Sequence, residues 1–261
     1  MTKDVFYLIT QLSLLVTKCK WFQVQLSFLY LPRDREHLFS SSCFFFLSKM
    51  ALPMVPFSTG SPIMLCGPTG TGKTVWTKKL LSFDMFTEKV NSILYCYGVD
   101  QPLFEQMEMP NLTFHEGLPT LDKVKDFNDG KFNVIVLDDL MELVIKNVDA
   151  QNLFTKYCHH YNISVIFLTQ NVFAQGPSAR TISVNTHILV LFKNKRDESQ
   201  IVRLAKQLCP DISMGFLECF QDATEEPFGY LVVDCDPKSP NEIKLRTKIF
   251  PGEETIVYLK K

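Results

Sequence analysis

From Met50 onward, short and wholly apolar runs alternate with stretches whose apolar residues recur at helical spacing. Apolar runs of about four to eight residues between turn-forming positions predict strands buried on both faces. Their alternation with helical segments predicts an α/β fold, a mostly parallel sheet flanked by helices. The expected strands are Ile63-Met64-Leu65-Cys66, SILYCYG at 92–98, a shorter LTFHEG at 112–117, FNVIVLDDLM at 132–141, ISVIFLTQN at 163–171 and HILVLFKN at 187–194. Between the strands at 132–141 and 163–171, residues 149–161 place Leu153, Phe154, Tyr157 and Tyr161 on one helical face, with Asp149 as the expected N-cap. Asn152 stands where a full capping box has Glu or Gln. Asp197-Glu198-Ser199-Gln200 opens a further helix, striped by Ile201, Leu204, Ala205 and Leu208. GYLVVDCD (229–236) and IKLRTKIF (243–250) flank PKSPNE and predict a C-terminal β-hairpin.

Residues 1–49 break the pattern. VFYLITQLSLLVT has 13 residues with a Gln inside, too short and too polar for a membrane span. No small-residue cleavage site follows it, which argues against a signal peptide. The expected organisation is an N-terminal extension over 1–49, disordered or a gene-model artefact, followed by one domain over 50–261.

Composition narrows the reading in three ways. At 261 residues the chain can bury one good core. Its net charge of −1 excludes a general attraction to nucleic acid, so any such contact needs a local patch or a ring that sums several. The eight Cys form no C-x-x-C pair, and the adjacent Cys158, His159 and His160 diverge on a helix. Buried, reduced thiols of an intracellular protein are expected.

The chemistry begins where the first strand ends. Gly67-Pro68-Thr69-Gly70-Thr71-Gly72-Lys73-Thr74 matches G-x-x-x-x-G-K-[ST] between a strand and a helix. The loop's glycines let backbone N–H groups point inward at phosphates, and the helix N-terminus aims its positive end at the same place. Lys73 is expected on the β- and γ-phosphates of ATP, and the Thr74 hydroxyl on Mg²⁺.

Val134-Ile135-Val136-Leu137-Asp138-Asp139 follows the Walker B pattern of a buried strand ending in acids. A carboxylate at that strand end sits beside the phosphate loop. Asp138 is expected to hold Mg²⁺ and Asp139 to orient or deprotonate the attacking water. Glu is the usual base there, and the plainer alternative has the acids capping the next helix. Gln170, closing the following strand, is expected to sense the γ-phosphate, against the alternative of a polar turn. Arg180 and Arg196 are two candidates for a finger completing a neighbour's site, and each reads equally well as a surface arginine.

GPTGTGKT, VIVLDDLM, VIFLTQN, ARTISVNTHILVLFKNKRD and LRTKIFP together resemble the viral genome-packaging ATPases of the FtsK–HerA superfamily. The nearest pattern is the poxvirus-like branch carried by Maverick/Polinton elements and adintoviruses, and the likeness spans residues 60 to 255. The resemblance implies a P-loop NTPase with a RecA-like core, in which a sensor strand lies between the Walker A and Walker B strands. It implies a homo-oligomeric ring that threads double-stranded DNA into a viral capsid through a capsid or portal-vertex protein, in the host nucleus or at a virus assembly site. It also implies a finger on Arg180 or Arg196. Lys193, Lys195, Arg196, Arg203 and Lys206 offer a local basic strip for DNA. The competing reading is a nucleoside or nucleotide kinase, against which stands the lack of an arginine-rich lid. A third is a decayed copy that binds without turnover, against which stand the intact Lys73, Thr74, Asp138 and Asp139.

Overall fold

The structure is a computed structural model that describes residues 47–52 and 54–260, so most of the expected extension over 1–49 lies outside the described residues. The described residues belong to one compact unit, Phe44–Lys261. Its centre is a ten-stranded sheet. The strands are β1 (Leu47–Leu52), β2 (Ile63–Cys66), β3 (Ser92–Tyr97), β4 (Leu112–Glu116), β5 (Asn133–Asp138), β6 (Ile163–Thr169), β7 (Ile188–Phe192), β8 (Tyr230–Asp234), β9 (Leu245–Thr247) and β10 (Thr255–Lys260). They lie in the order β1-β10-β9-β8-β7-β2-β6-β5-β3-β4. From β7 to β4 the strands are parallel, and from β8 to β1 they pair antiparallel.

All six strands expected in the parallel half are present. β6 separates β2 from β5, the additional-strand arrangement of RecA-like P-loop folds. The expected hairpin is present as the β8–β9 pair, but β9 stops at Thr247. Lys248 turns the chain with a φ of 53°, and Ile249 and Phe250 leave the sheet to become 1% and 2% exposed core residues. β10 then continues the sheet and pairs with β1, which runs across the boundary expected at Met50: Leu47, Ser48 and Lys49 pair with Lys260, Leu259 and Tyr258.

The helices are α1 (Lys73–Ser82), α2 (Leu121–Asp126), α3 (Met141–Lys146), α4 (Val148–Asn152), α5 (Cys158–His160), α6 (Ala179–Asn185), α7 (Ser199–Leu208) and α8 (Ser213–Ala223). A π-helical turn, Leu153–Tyr157, joins α4 to α5. The N-cap of α4 is Asn147, not Asp149. Asn147 is extended and its Oδ1 accepts from the N–H groups of Asp149 and Ala150 at 2.7 and 3.3 Å, which puts Asp149 in the first turn. On the expected face Leu153 and Phe154 are buried, while Tyr157 and Tyr161 are half-buried and stack at 4.9 Å. The stripe of α7 is as expected, with Ile201, Leu204 and Ala205 buried and Leu208 half-buried. Its start is two residues later, because the Asp197 carboxylate accepts from the Ser199 hydroxyl and the Gln200 amide, both at 2.6 Å.

The period of two along each buried strand divides the core. Met64, Leu94, Ile135, Leu137 and Phe167 pack on the face covered by α3, α4, α7 and α8. Ile63, Leu65, Val134, Val136 and Ile166 pack on the other, with Trp76 and Leu80 of α1. Each such side chain contributes about 1.5–3 kcal/mol by leaving water. The central strands are therefore fixed, and their carboxyl ends form a firm edge on which polar residues can be placed.

Candidate active site

At that edge β2 ends in the phosphate loop, with the Gly67 N–H bonded to the Thr169 carbonyl at the end of β6 at 3.2 Å. Gly70 and Gly72 have φ of 80° and 95°, a backbone region that other L-residues enter only at a cost, and this turns the loop back over itself. The Thr71 hydroxyl donates to the Pro68 carbonyl at 2.8 Å. Gly67 has no room for a side chain: a Cβ there would lie 2.7 Å from the Phe192 Cβ. Lys73 opens α1 and its Nζ donates to the Gly67 and Pro68 carbonyls at 2.6 and 2.9 Å, spanning the loop. Burial pulls this ammonium below the usual lysine range, opposed by the carboxylates of Asp138 and Asp139 nearby. The Cys66 thiol, buried beneath the loop, is pushed up to about 12 and stays protonated at neutral pH.

Thr74 and Asp138 meet. The Thr74 hydroxyl donates to Asp138 Oδ2 at 3.2 Å, which joins the first turn of α1 to the end of β5 although the residues are distant in sequence. Asp138 is 4% exposed. Burial raises its carboxyl above the usual range, and hydrogen bonds from Tyr95 and Thr74 and the charge of Lys73 pull it back down. The strongest of these partners was not anticipated from the sequence. Tyr95, on β3, is fully buried and its hydroxyl donates to the same Oδ2 at 2.7 Å. Its own phenol is raised by burial and by the Asp138 charge, so it acts as a fixed donor. The signal available was a polar-tipped aromatic in a buried strand next to the Walker B strand, since a buried tyrosine hydroxyl needs a partner.

Asp139 leaves the strand with a φ of 54° and is exposed. This left-handed conformation, which Asp tolerates better than most residues, turns the second acid away from the sheet. Gly98 at the end of β3 makes the turn possible, because a Cβ there would meet the Asp139 carbonyl oxygen at 2.4 Å.

Thr69, Gly70, Gly72, Lys73, Thr74, Asp138, Asp139 and Gln170 all line one cavity of about 710 Å³, together with Thr169, Phe192, Phe228, Tyr230 and Phe250. Gly67, Pro68 and Thr71 form the frame of the loop behind it. Gln170 is exposed at the tip of β6. The donor set fits a small hard cation, since Thr74 Oγ1 and Asp138 Oδ2 are neighbouring oxygens and no thiolate or imidazole is among the cavity's lining groups. Thr74 and Asp138 would hold Mg²⁺, which when bound beside a triphosphate offsets its charge.

No protein-family model and no curated protein matches the chain. Solved structures do. B204, the DNA-packaging ATPase of Sulfolobus turreted icosahedral virus, is 11% identical over 71% of this chain and 96% of its own, with a TM-score of 0.49. The genome-packaging NTPase B204 of Sulfolobus turreted icosahedral virus 2, bound to ATP-gammaS, is 10% identical over 69% and 95%, with a TM-score of 0.48. The flagellar accessory protein FlaH of Methanocaldococcus jannaschii is 18% identical over 52% and 72%, with a TM-score of 0.37.

The two arginines stand apart from the rest. Arg180 is exposed on α6, and Arg196 is exposed in the loop after β7, where its N–H bonds Asn194 Oδ1 at 3.0 Å. Neither lines the cavity of its own chain. In the basic strip, Lys195, Arg196, Arg203 and Lys206 are exposed and Lys193 is half-buried. The Arg203 guanidinium lies over the Phe173 ring at 5.1 Å, so this residue is also a packing group. Cys158 is buried while His159 and His160 are exposed, so the three do not share a site.

Proposed function

We propose that this chain is an ATP-hydrolysing motor that works as a homo-oligomeric ring and translocates double-stranded DNA into a viral capsid. The observation that carries the ATPase reading is the contact between Thr74 and Asp138 beside Lys73, with Asp139 and Gln170 facing the same cavity. In this reading Lys73 and the loop N–H groups hold the β- and γ-phosphates, and Thr74 and Asp138 hold Mg²⁺. Asp139, turned outward at the cavity wall, takes a proton from the attacking water or orients it, and Gln170 fixes that water against the γ-phosphate. Since neither Arg180 nor Arg196 lines the cavity of its own chain, either one would act on a neighbour's nucleotide.

The DNA and capsid parts of the reading rest on the sequence resemblance, including the Maverick/Polinton-like branch, and with them goes a working place in the host nucleus or at an assembly site. ATP turnover measured with and without duplex DNA at low salt, alongside native mass, tests the whole. Oligomers whose hydrolysis rises several-fold with DNA support it. An oligomer whose turnover ignores DNA removes translocation, and transfer of labelled phosphate to a nucleoside would replace it with the kinase reading. Asp139→Asn is expected to keep ATP binding while turnover falls about 100-fold. Equal turnover of the two would remove Asp139 from the chemistry.

A further inference from the structure

The cavity contains a side chain that phosphate binding does not use. Phe228 is 69% exposed, the highest value among the exposed large hydrophobics of the described residues. It also has a φ of 63°, a left-handed conformation that is strained for a bulky residue. A ring held in strain and in water serves neither the core nor the turn. The loop between α8 and β8 nevertheless fixes it there. The Thr224 hydroxyl donates to the Phe220 carbonyl at 2.7 Å, and the Gly229 N–H bonds the Glu226 carbonyl at 3.1 Å. Gly229 passes so close to the end of α8 that a Cβ would lie 2.5 Å from the Ala223 carbonyl oxygen. With Gly229 held against the end of α8 and Thr224 bonded back to it, the turn that carries Phe228 is fixed at both of its ends.

Its position gives the use. A Cβ at Gly72, the residue before Lys73, would lie 3.4 Å from Phe228 Cδ1, so the ring borders the phosphate loop itself. Phe192, Tyr230 and Phe250 line the same cavity and supply an apolar lining there. A ligand gripped by its phosphates at Lys73 and Thr74 extends its other end along that wall, and the flat apolar part of a nucleoside triphosphate is the base.

We propose that Phe228 is the platform on which the purine base of the nucleotide stacks, an inference that rests on the triphosphate reading of the phosphate loop. Aromatic stacking is tolerant of base identity because every base has a π-face. Phe228 thus sets affinity for the nucleoside part, and ATP and GTP both gain from it.

The test compares binding of Mg²⁺-ATP and Mg²⁺-tripolyphosphate to the full chain and to Phe228→Gly and Phe228→Tyr. Glycine relieves the left-handed strain, so Phe228→Gly is expected to melt no lower than the parent while ATP affinity falls about tenfold or more. Tripolyphosphate affinity is expected to stay unchanged, and Phe228→Tyr is expected to keep parental ATP affinity. Unchanged ATP affinity in Phe228→Gly overturns the proposal, as does an equal loss for both ligands. Parental protein that binds neither ligand overturns the triphosphate reading, and the platform with it. Tripolyphosphate binding alone, with no added affinity for ATP, overturns the platform and leaves the phosphate grip standing.

Discussion

Asp138 is a carboxylate placed where the solvent that would stabilise its charge is absent, and its partners offset that only in part. Burial raises its pKa from about 3.8 despite the Tyr95 and Thr74 hydroxyls and the Lys73 charge. Between 3.8 and the raised value the folded state binds more protons than the unfolded one, so stability falls as pH rises through that window. Above that window, where both states are ionised, the cost is fully present. Asp138→Asn is therefore expected to raise the thermal midpoint by a few degrees at pH 7 while abolishing turnover, and to give no such gain below about pH 3.8. Midpoints of both proteins measured across pH check this, and a loss of stability at pH 7 would show that the charge is favourable where it stands. Tyr95→Phe removes one donor, and a hydrogen bond to a charged acceptor contributes about 1.5–3 kcal/mol. The Asp138 carboxyl should then rise further, moving the acid limb of the ATPase profile to higher pH with little change at alkaline pH. At this scale the motif residues were legible because their chemistry is carried by residue type and short spacing. Tyr95 was not, since only the pairing of β3 with β5 brings it to Asp138.

Strand ends do most of the assembling among the elements. Gln200 illustrates it: the side chain donates to Asp197, two residues before α7, and accepts the Val172 N–H at 3.2 Å, two residues beyond Gln170. The candidate sensor loop is thus tied to the segment carrying Arg196, a link between β6 and α7 that no periodicity reveals. Gln200→Ala leaves the Val172 N–H without its acceptor, at about 1 kcal/mol. Faster amide exchange at Val172 is expected, with turnover down several-fold and ATP affinity unchanged. Unchanged exchange would show that the loop is held by other means. The terminal LRTKIFP block makes a similar point. Arg246 is fully buried, bonds Asp234 of β8 at 2.9 Å and lies over the Phe57 ring at 5.1 Å. Ile249 and Phe250 turn into the core against Trp76, so a stretch that reads as one strand from its apolar content is half strand and half plug. The central parallel strands β2, β5, β6 and β7 were plain in the sequence because they are buried along their whole length and so read as apolar runs with few polar breaks. β10 and β1 were not: they cover the antiparallel edge, where register rather than composition decides pairing.

At the scale of the whole molecule, the geometry that isolates Arg180 and Arg196 from their own cavity is the same geometry that makes a ring testable. A trans-acting finger divides each site between two chains, one giving Lys73, Thr74, Asp138 and Asp139 and the next giving the arginine. Lys73→Ala alone is expected to lower turnover at least about 100-fold by removing a charge from the phosphates, and loss of the finger about 1000-fold. Mixed in equal amounts and allowed to exchange subunits, the two inactive proteins should regain activity. An intact loop then meets an intact arginine at about one interface in four, so turnover recovers to about a quarter of the parental rate when sites fire independently. Run with Arg180→Ala and with Arg196→Ala, the mixture identifies the finger by which pair recovers. The local charges add a control: DNA contact by the basic strip is salt-sensitive, whereas complementation at fixed low salt without DNA reports only the shared site. Recovery with neither arginine would confine both to the surface and leave each cavity complete within one chain.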